Sequence, residues 1–242
     1  MAHSVYKYRT GEAYPHCYKY PQVALTADCV TFSYDSKKLY VLLVRRGQEP
    51  FKDCWAFPGG FVNPDETAEE GARRELAEET GLKADYFEQL KVFSAPGRDP
   101  RQRTVTVPFI VLSKLSDVKG LDDAQEARWF PVDQIPQLAF DHLQIFDEAL
   151  ASLKRSLLFN PVAYYLLPQR FTMPQLQRLY EIILGVRFDR RNFARKMNAV
   201  GILIAELNND RKGIPSRTPS LFSFNLARWE AMKEKSITDF EF

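Results

Sequence analysis

Only three histidines (His3, His16, His142) and three cysteines (Cys17, Cys29, Cys54) occur in 242 residues. The cysteines are scattered and odd in number, and no Cys/His spacing suits zinc, so a zinc-ligand framework is excluded. Long apolar runs are missing as well: none approaches the roughly 20 residues of a membrane span. The first residues also lack the basic, apolar, small-residue layout of a signal peptide. Together these absences predict a cytoplasmic protein with no membrane partner. Net charge is nearly absent too, because 33 Lys and Arg face 31 Asp and Glu, giving +2. What is present, 45% hydrophobic and 26% charged residues, lies near the globular average and excludes a disordered tail or a fibre.

The small net charge hides a division. Residues 170–242 hold 13 basic and 8 acidic side chains, a balance of +5, whereas residues 1–169 hold 20 and 23, a balance of −3. The secondary-structure signals split at the same place. Strand-like runs at 23–34 and 39–45 flank Asp35-Ser36-Lys37, which reads as a hairpin turn. A helix is predicted over 67–80, strands over 104–112 and 127–132, and a helix over 141–157. In that last helix Asp141 is the expected N-cap, and Leu143, Phe146, Leu150, Leu153 and Leu157 form the apolar stripe. Residues 22–157 therefore read as one α/β domain, preceded by an extension over 1–21 whose five tyrosines carry no reading. A linker is expected over 158–170.

Beyond it, 171–242 reads as helix, helix, β-hairpin, the outline of a winged helix-turn-helix. Thr172 and Gln175 form a capping box, and Gly185 closes the helix carrying Leu176, Leu179 and Ile183. Asp189 caps the next helix, whose buried side would be Phe193, Met197 and Val200. Strands are expected over 202–207 and 221–224, around a basic turn. The second helix exposes Arg190, Arg191, Asn192, Arg195 and Lys196, a set suited to phosphate contacts and base-edge reading of double-stranded DNA. Arg211, Lys212 and Arg217 on the hairpin would reach the flanking backbone.

The most informative stretch runs from Gly59-Gly60 to Gly81-Leu82. Thr67 and Glu70 form a capping box, and Gly81 stands where a left-handed C-cap is needed. Glu75, Glu78 and Glu79 at i, i+3 and i+4 share one helix face, while Ala68, Ala72 and Leu76 make a narrow seam for packing on a sheet. Three carboxylates on one face repel unless cations lie among them. Oxygen ligands without His or Cys suit Mg²⁺ or Mn²⁺, which bind diphosphate oxygens and activate water. A solvated acidic helix is the bland alternative. Spacing decides between them: Gly60, five residues, Glu66, seven residues, Arg74-Glu75-Leu76, one residue, Glu78-Glu79, one residue, Gly81-Leu82 arises by chance on the order of once in ten million chains.

That array resembles the box of the Nudix hydrolase superfamily. The resemblance implies an α/β/α sandwich, with Glu75, Glu78 and Glu79 as metal ligands alongside the backbone near Gly59-Gly60, and with Glu66 and Arg74 in support. Glu126 is the candidate for a further catalytic acid, with Asp122 or Asp123 behind it. The loop Pro96-Gly97-Arg98-Asp99-Pro100-Arg101 looks like that of members acting on ADP-ribose. By that likeness Arg98, Asp99 and Arg101 would contact substrate, next to Phe57 and Gly59, and water attack would release AMP and ribose 5-phosphate. The segment from Phe171 to Glu181, followed by Asp189-Arg190-Arg191-Asn192-Phe193, looks like the winged helix of Nudix-related transcriptional regulators, which act as homodimers. Two functions follow: a metal-dependent pyrophosphohydrolase with a DNA-binding tail, or a regulator whose Nudix domain only senses ADP-ribose or a sugar-type effector.

Overall fold

The computed structural model describes residues 22–122, 124–206 and 220–238, with backbone alone over 233–238. Arg211, Lys212 and Arg217, like Asp123 and the tyrosines of the first 20 residues, lie outside the described residues. The first sheet contains β1 (Ala24–Tyr34), β2 (Leu39–Arg46), β3 (Trp55–Ala56), β4 (Gly59–Phe61), β5 (Tyr86–Gln89), β6 (Thr104–Leu112) and β7 (Ala124–Pro131). Its main path runs β3-β2-β1-β6-β5; β4 also pairs with β1 and β7 with β2. β1 and β6 pair in parallel, over nine residues from Ala24↔Thr104 to Phe32↔Leu112, while the other strand pairs are antiparallel among the described residues, so the sheet is mixed.

Both faces of this sheet are covered, which explains why its central strands read as nearly unbroken apolar runs. Successive residues of a strand point to opposite sides. Ala27, Cys29, Leu42 and Val44 pack on one face with Ala72 and Leu76 of α1 (Ala68–Thr80). Val30, Phe32, Val41 and Leu43 pack on the other with Ile145, Phe146, Ala149 and Leu153 of α2 (His142–Phe159). This is the expected sandwich.

Two expectations for α2 are corrected. Leu143 is 55% exposed, and Ile145 and Ala149 take the buried stripe instead. Asp141 makes no capping hydrogen bond to the helix, because its carboxylate is committed to Arg98.

The expected linker over 158–170 is not a spacer. It carries the short helix α3 (Ala163–Leu166), and Val162, Ala163, Leu166 and Leu167 are buried in the same core as α2. That core continues into the C-terminal unit, where α4 (Met173–Leu184) and α5 (Arg190–Val200) contribute Leu176, Leu179, Ile183, Phe193 and Met197. Both capping predictions hold: Thr172 and Gln175 cap α4 reciprocally, and Asp189 accepts from the Asn192 N–H. Val200 is 40% exposed, because Gly201 turns the chain left-handed directly after it; Ile202 is buried in its place. A small sheet, β8 (Phe171–Thr172), β10 (Leu221–Phe224) and β9 (Leu203–Ala205), completes the winged-helix pattern. The strand β8 and a final helix, α6 (Leu226–Thr238), have no counterpart in the sequence reading.

Candidate functional site

The acidic site is built where α1 crosses β1 and β4. Gly60 lies directly under the Glu75 carboxylate, and a Cβ there would fall 2.5 Å from it, so any side chain would have to push that carboxylate aside. At Gly59 a Cβ would come 2.3 Å from the Ala27 carbonyl oxygen of the neighbouring strand. The Gly59 N–H donates to Glu79 Oε2 at 3.0 Å, which ties the β4 strand to the helix face.

Arg74 is the internal cation of this face. It grips Glu66 through Nε (3.0 Å) and Nη2 (2.6 Å), reaches Glu75 and Glu78 with Nη1 at 2.7 and 3.0 Å, and donates to the Phe61 carbonyl. The Glu66 pair holds the Arg74 guanidinium well above its ordinary value; Arg74, together with the Asn63 N–H, holds Glu66 below the usual carboxylate range. Glu66 and Arg74 thus form an ion pair beside the box.

Glu79, like Glu75, is half-buried. Desolvation pushes its carboxyl up to about 8, and the charges of Glu75 and Asp28 add to the rise, while the Gly59 N–H and Arg46 oppose it. A half-buried acid facing two further carboxylates is stabilised by a divalent cation, and the donor set is oxygen throughout, which fits Mg²⁺ or Mn²⁺. Among the described residues, however, no three acidic, His or Cys side chains already converge on one metal position. Arg74 holds Glu75 and Glu78, so a cation would have to draw them from that grip.

Several of the other candidate residues have partners of their own. Glu126 pairs with Arg128 at 2.6 Å on β7, opposite Arg45 of β2, and none of its described contacts joins it to the box. The Arg98 side chain is 5% exposed and makes a two-pronged pair with Asp141, at 2.9 and 2.7 Å, which clamps its loop to the start of α2. Asp99 is buried and accepts from Arg101, which leaves Arg101 half-exposed as the one loop guanidinium of the three residues placed toward solvent. Phe57 is buried against His142, with ring centroids 5.1 Å apart and nearly parallel.

Sequence reasoning missed Asp28 and His142. Asp28 sits on β1 beside Gly59, accepts from Thr106 Oγ1 at 2.6 Å and lies 3.8 Å from His142 Nε2. His142 Nδ1 accepts the Phe57 N–H at 3.0 Å, two residues before Gly59. Their only signal was polarity inside an apolar strand and at a helix start. Burial holds His142 below its ordinary value. A histidine kept neutral contributes stability above its unfolded value, near 6.5, and loses it as pH falls below that point. The melting temperature should therefore drop by several degrees between pH 7.5 and 5.5. His142→Gln retains an acceptor for Phe57 and should flatten that slope; equal slopes in thermal melts of both proteins would contradict this.

On α5, Arg190, Arg191, Asn192, Arg195 and Lys196 are all exposed; Arg191, Asn192 and Arg195 lie opposite the buried Phe193 and Met197, whereas Arg190 lies beside α4. Arg195 donates to the Asn192 side chain at 3.2 Å.

The NUDIX domain model matches residues 24–149, and the model of the NrtR DNA-binding winged helix domain matches residues 163–224. The chain is 32% identical over 216 residues, 87% of its length and 86% of the other's, to the ADPR responsive transcriptional repressor NtrR of Acinetobacter baylyi. It is 44% identical over 108 residues to the ADP-ribose pyrophosphatase of Methanocaldococcus jannaschii, covering 45% of this chain and 64% of that one. Shewanella oneidensis NrtR, solved in complex with a 27mer DNA, superposes with a TM-score of 0.68 at 32% identity, over 83% of this chain and 93% of its own. The NUDIX domain of that protein, solved with ADP ribose, superposes with a TM-score of 0.52 at 37% identity, over 55% and 90% of the two chains. By sequence and by fold, the chain belongs to the Nudix family, as a Nudix domain joined to an NrtR-type DNA-binding winged helix domain.

Proposed function

We propose that this protein is a DNA-binding transcription regulator, acting as a homodimer on double-stranded DNA, whose Nudix domain responds to ADP-ribose or a closely related nucleoside diphosphate compound. The observation that carries the reading is the core shared by α2 and α4. Helix α2 begins at the acidic site, where Asp141 holds Arg98 and His142 holds the Phe57 N–H. Farther along, its buried residues enter the same cluster as Leu176, Leu179 and Phe193 of the winged helix. Ser152 and Ser156 fix its middle to Glu88 on β5. A ligand that shifts the start of α2 thereby reaches the helix pair that presents Arg191 and Arg195. The full-length likeness to a repressor named for its response to ADPR supports the same reading. It is tested by a gel shift of the full chain on its own upstream DNA: a salt-sensitive complex is expected, and no shift there or on neighbouring promoters overturns the reading.

The undegraded box favours a second activity in the same domain. Glu75, Glu78 and Glu79 share a face, Gly60 leaves room for the Glu75 carboxylate, and Arg74 with Glu66 orients the set. With Mg²⁺ or Mn²⁺ these residues would hold the ion and the diphosphate, and the ion supplies an activated water. The chain's own contribution is to fix Glu79 through the Gly59 N–H and to keep it in a poorly hydrated position. Hydrolysis of ADP-ribose to AMP and ribose 5-phosphate would clear the signal. The 44% identity to a protein named ADP-ribose pyrophosphatase supports it.

A further inference from the structure

Helix α5 carries its charges against its own polarity. A helix begins with unpaired N–H groups and ends with unpaired carbonyls, which favours acids at the start and bases at the end. In α5 the order is reversed. Arg190 and Arg191 open the helix, its first turn has no acidic residue, and its last turn has no basic one. Asp189 relieves the start, where its side chain accepts the Asn192 N–H. At the other end Gly201 closes the helix with its N–H on the Asn198 carbonyl, but it brings no charge.

A cation from another element stands at that end. Arg228 belongs to the first turn of α6, and a Cβ on Gly201 would lie 3.1 Å from its Nη2, 3.4 Å from its Cζ and 3.8 Å from its Nε. The guanidinium is thus seated on the residue that caps α5, and the missing side chain leaves the room for it. The backbone fixes it there from a second side. The Asn225 N–H donates to the Ile202 carbonyl at 2.8 Å, one residue past Gly201, and Asn225 Oδ1 accepts the Arg228 N–H at 3.0 Å. The start of α6 is therefore pinned to the end of α5. Gly201 also has a φ of 76°, so another residue there would meet backbone strain as well as the Arg228 group.

We propose that Arg228 is a positioning residue for DNA reading. Its guanidinium supplies the cation that the carbonyl end of α5 lacks and holds the last turn of that helix in place, so that Arg191 and Arg195 meet base edges in register. It acts through α5 and does not itself touch DNA. The assignment rests on α5 being the reading helix, as proposed above, and adds the group that keeps it aligned. It also makes α6 part of the reading unit.

Backbone hydrogen exchange and DNA-binding anisotropy on the full chain test the role together. Arg228→Met keeps the stem and removes the charge. It should speed exchange of the amides in the last turn of α5 by about two- to fivefold and weaken binding to upstream DNA by a similar factor. Binding to a mixed-sequence duplex of the same length should be nearly unchanged, because phosphate contacts tolerate a tilted helix and base contacts do not. Arg228→Lys should restore both readouts, and Arg228→Glu should lose more than Arg228→Met. The salt dependence should keep the wild-type slope, whereas losing an arginine on a phosphate lowers that slope by about one. Unchanged exchange in Arg228→Met overturns the proposal, and so does an equal loss on both duplexes. A reduced salt slope overturns it too, by placing Arg228 on the DNA. In these cases the DNA-binding reading stands; if the wild type binds neither duplex, that reading and this role fail together.

Discussion

Glu79→Gln should lower Mg²⁺-dependent AMP release from ADP-ribose by more than about a hundredfold, since loss of a supporting partner around a metal ligand already costs 10- to 100-fold and this change removes a proposed ligand itself. The substitution is nearly isosteric. A glutamine oxygen can still accept the Gly59 N–H, so the β4 turn should keep its place. What disappears is the ability to become an anion in a half-buried position flanked by Glu75 and Asp28, where only a cation makes three carboxylates compatible. Removing Mg²⁺ from the wild type should reproduce the loss. Product analysis by chromatography measures both. An undiminished rate in Glu79→Gln contradicts the assignment, and no turnover by wild type across a panel of nucleoside diphosphate compounds would remove the second activity and leave a pure sensor.

A comparably large effect is expected on the other half of the chain. Arg191→Ala together with Arg195→Ala should abolish the gel shift, a loss of roughly a hundredfold or more, since a good Arg contact to a base edge or phosphate is worth about 1–3 kcal/mol. Both side chains are exposed on α5, one turn apart, and neither contributes to the buried Phe193 and Met197 face, so the winged helix should stay folded. The residual binding should also depend less steeply on salt, because fewer counterions are released. A double variant that shifts DNA like wild type would place the reading surface elsewhere.

The contrast between these two sites and the rest of the molecule shows what a sequence makes legible. Helical spacing is local, so the shared face of Glu75, Glu78 and Glu79, the Thr67 and Thr172 capping boxes and the Phe193–Met197 stripe could all be read directly. The partner of a long side chain is not local. Arg98 reads as a ligand-facing cation within its loop, but its carboxylate partner, Asp141, comes from 43 residues away and buries it. The same fact removes Asp141 from its expected capping role. Phe57 was expected beside the substrate by likeness alone, and the ring of His142 that stacks on it has no signal near it in the sequence. Asp28 is hidden inside an apolar strand, and only the pairing of β1 with β4 brings it next to Gly59. The expected linker fails for a related reason: Asn160-Pro161 and Pro168 punctuate the chain, but Val162, Ala163, Leu166 and Leu167 between them are core residues.

The −3 and +5 halves of the chain thus correspond to the domain with the acidic cluster and the domain with the exposed basic helix, joined by one core. Communication through that core is the central claim, and fluorescence anisotropy of labelled upstream DNA bound to the full chain tests it most directly. ADP-ribose added in EDTA, so that nothing is hydrolysed, should weaken the complex by at least about tenfold, a coupling of roughly 1.4 kcal/mol. Unchanged DNA affinity at an ADP-ribose concentration that saturates the Nudix domain would contradict it.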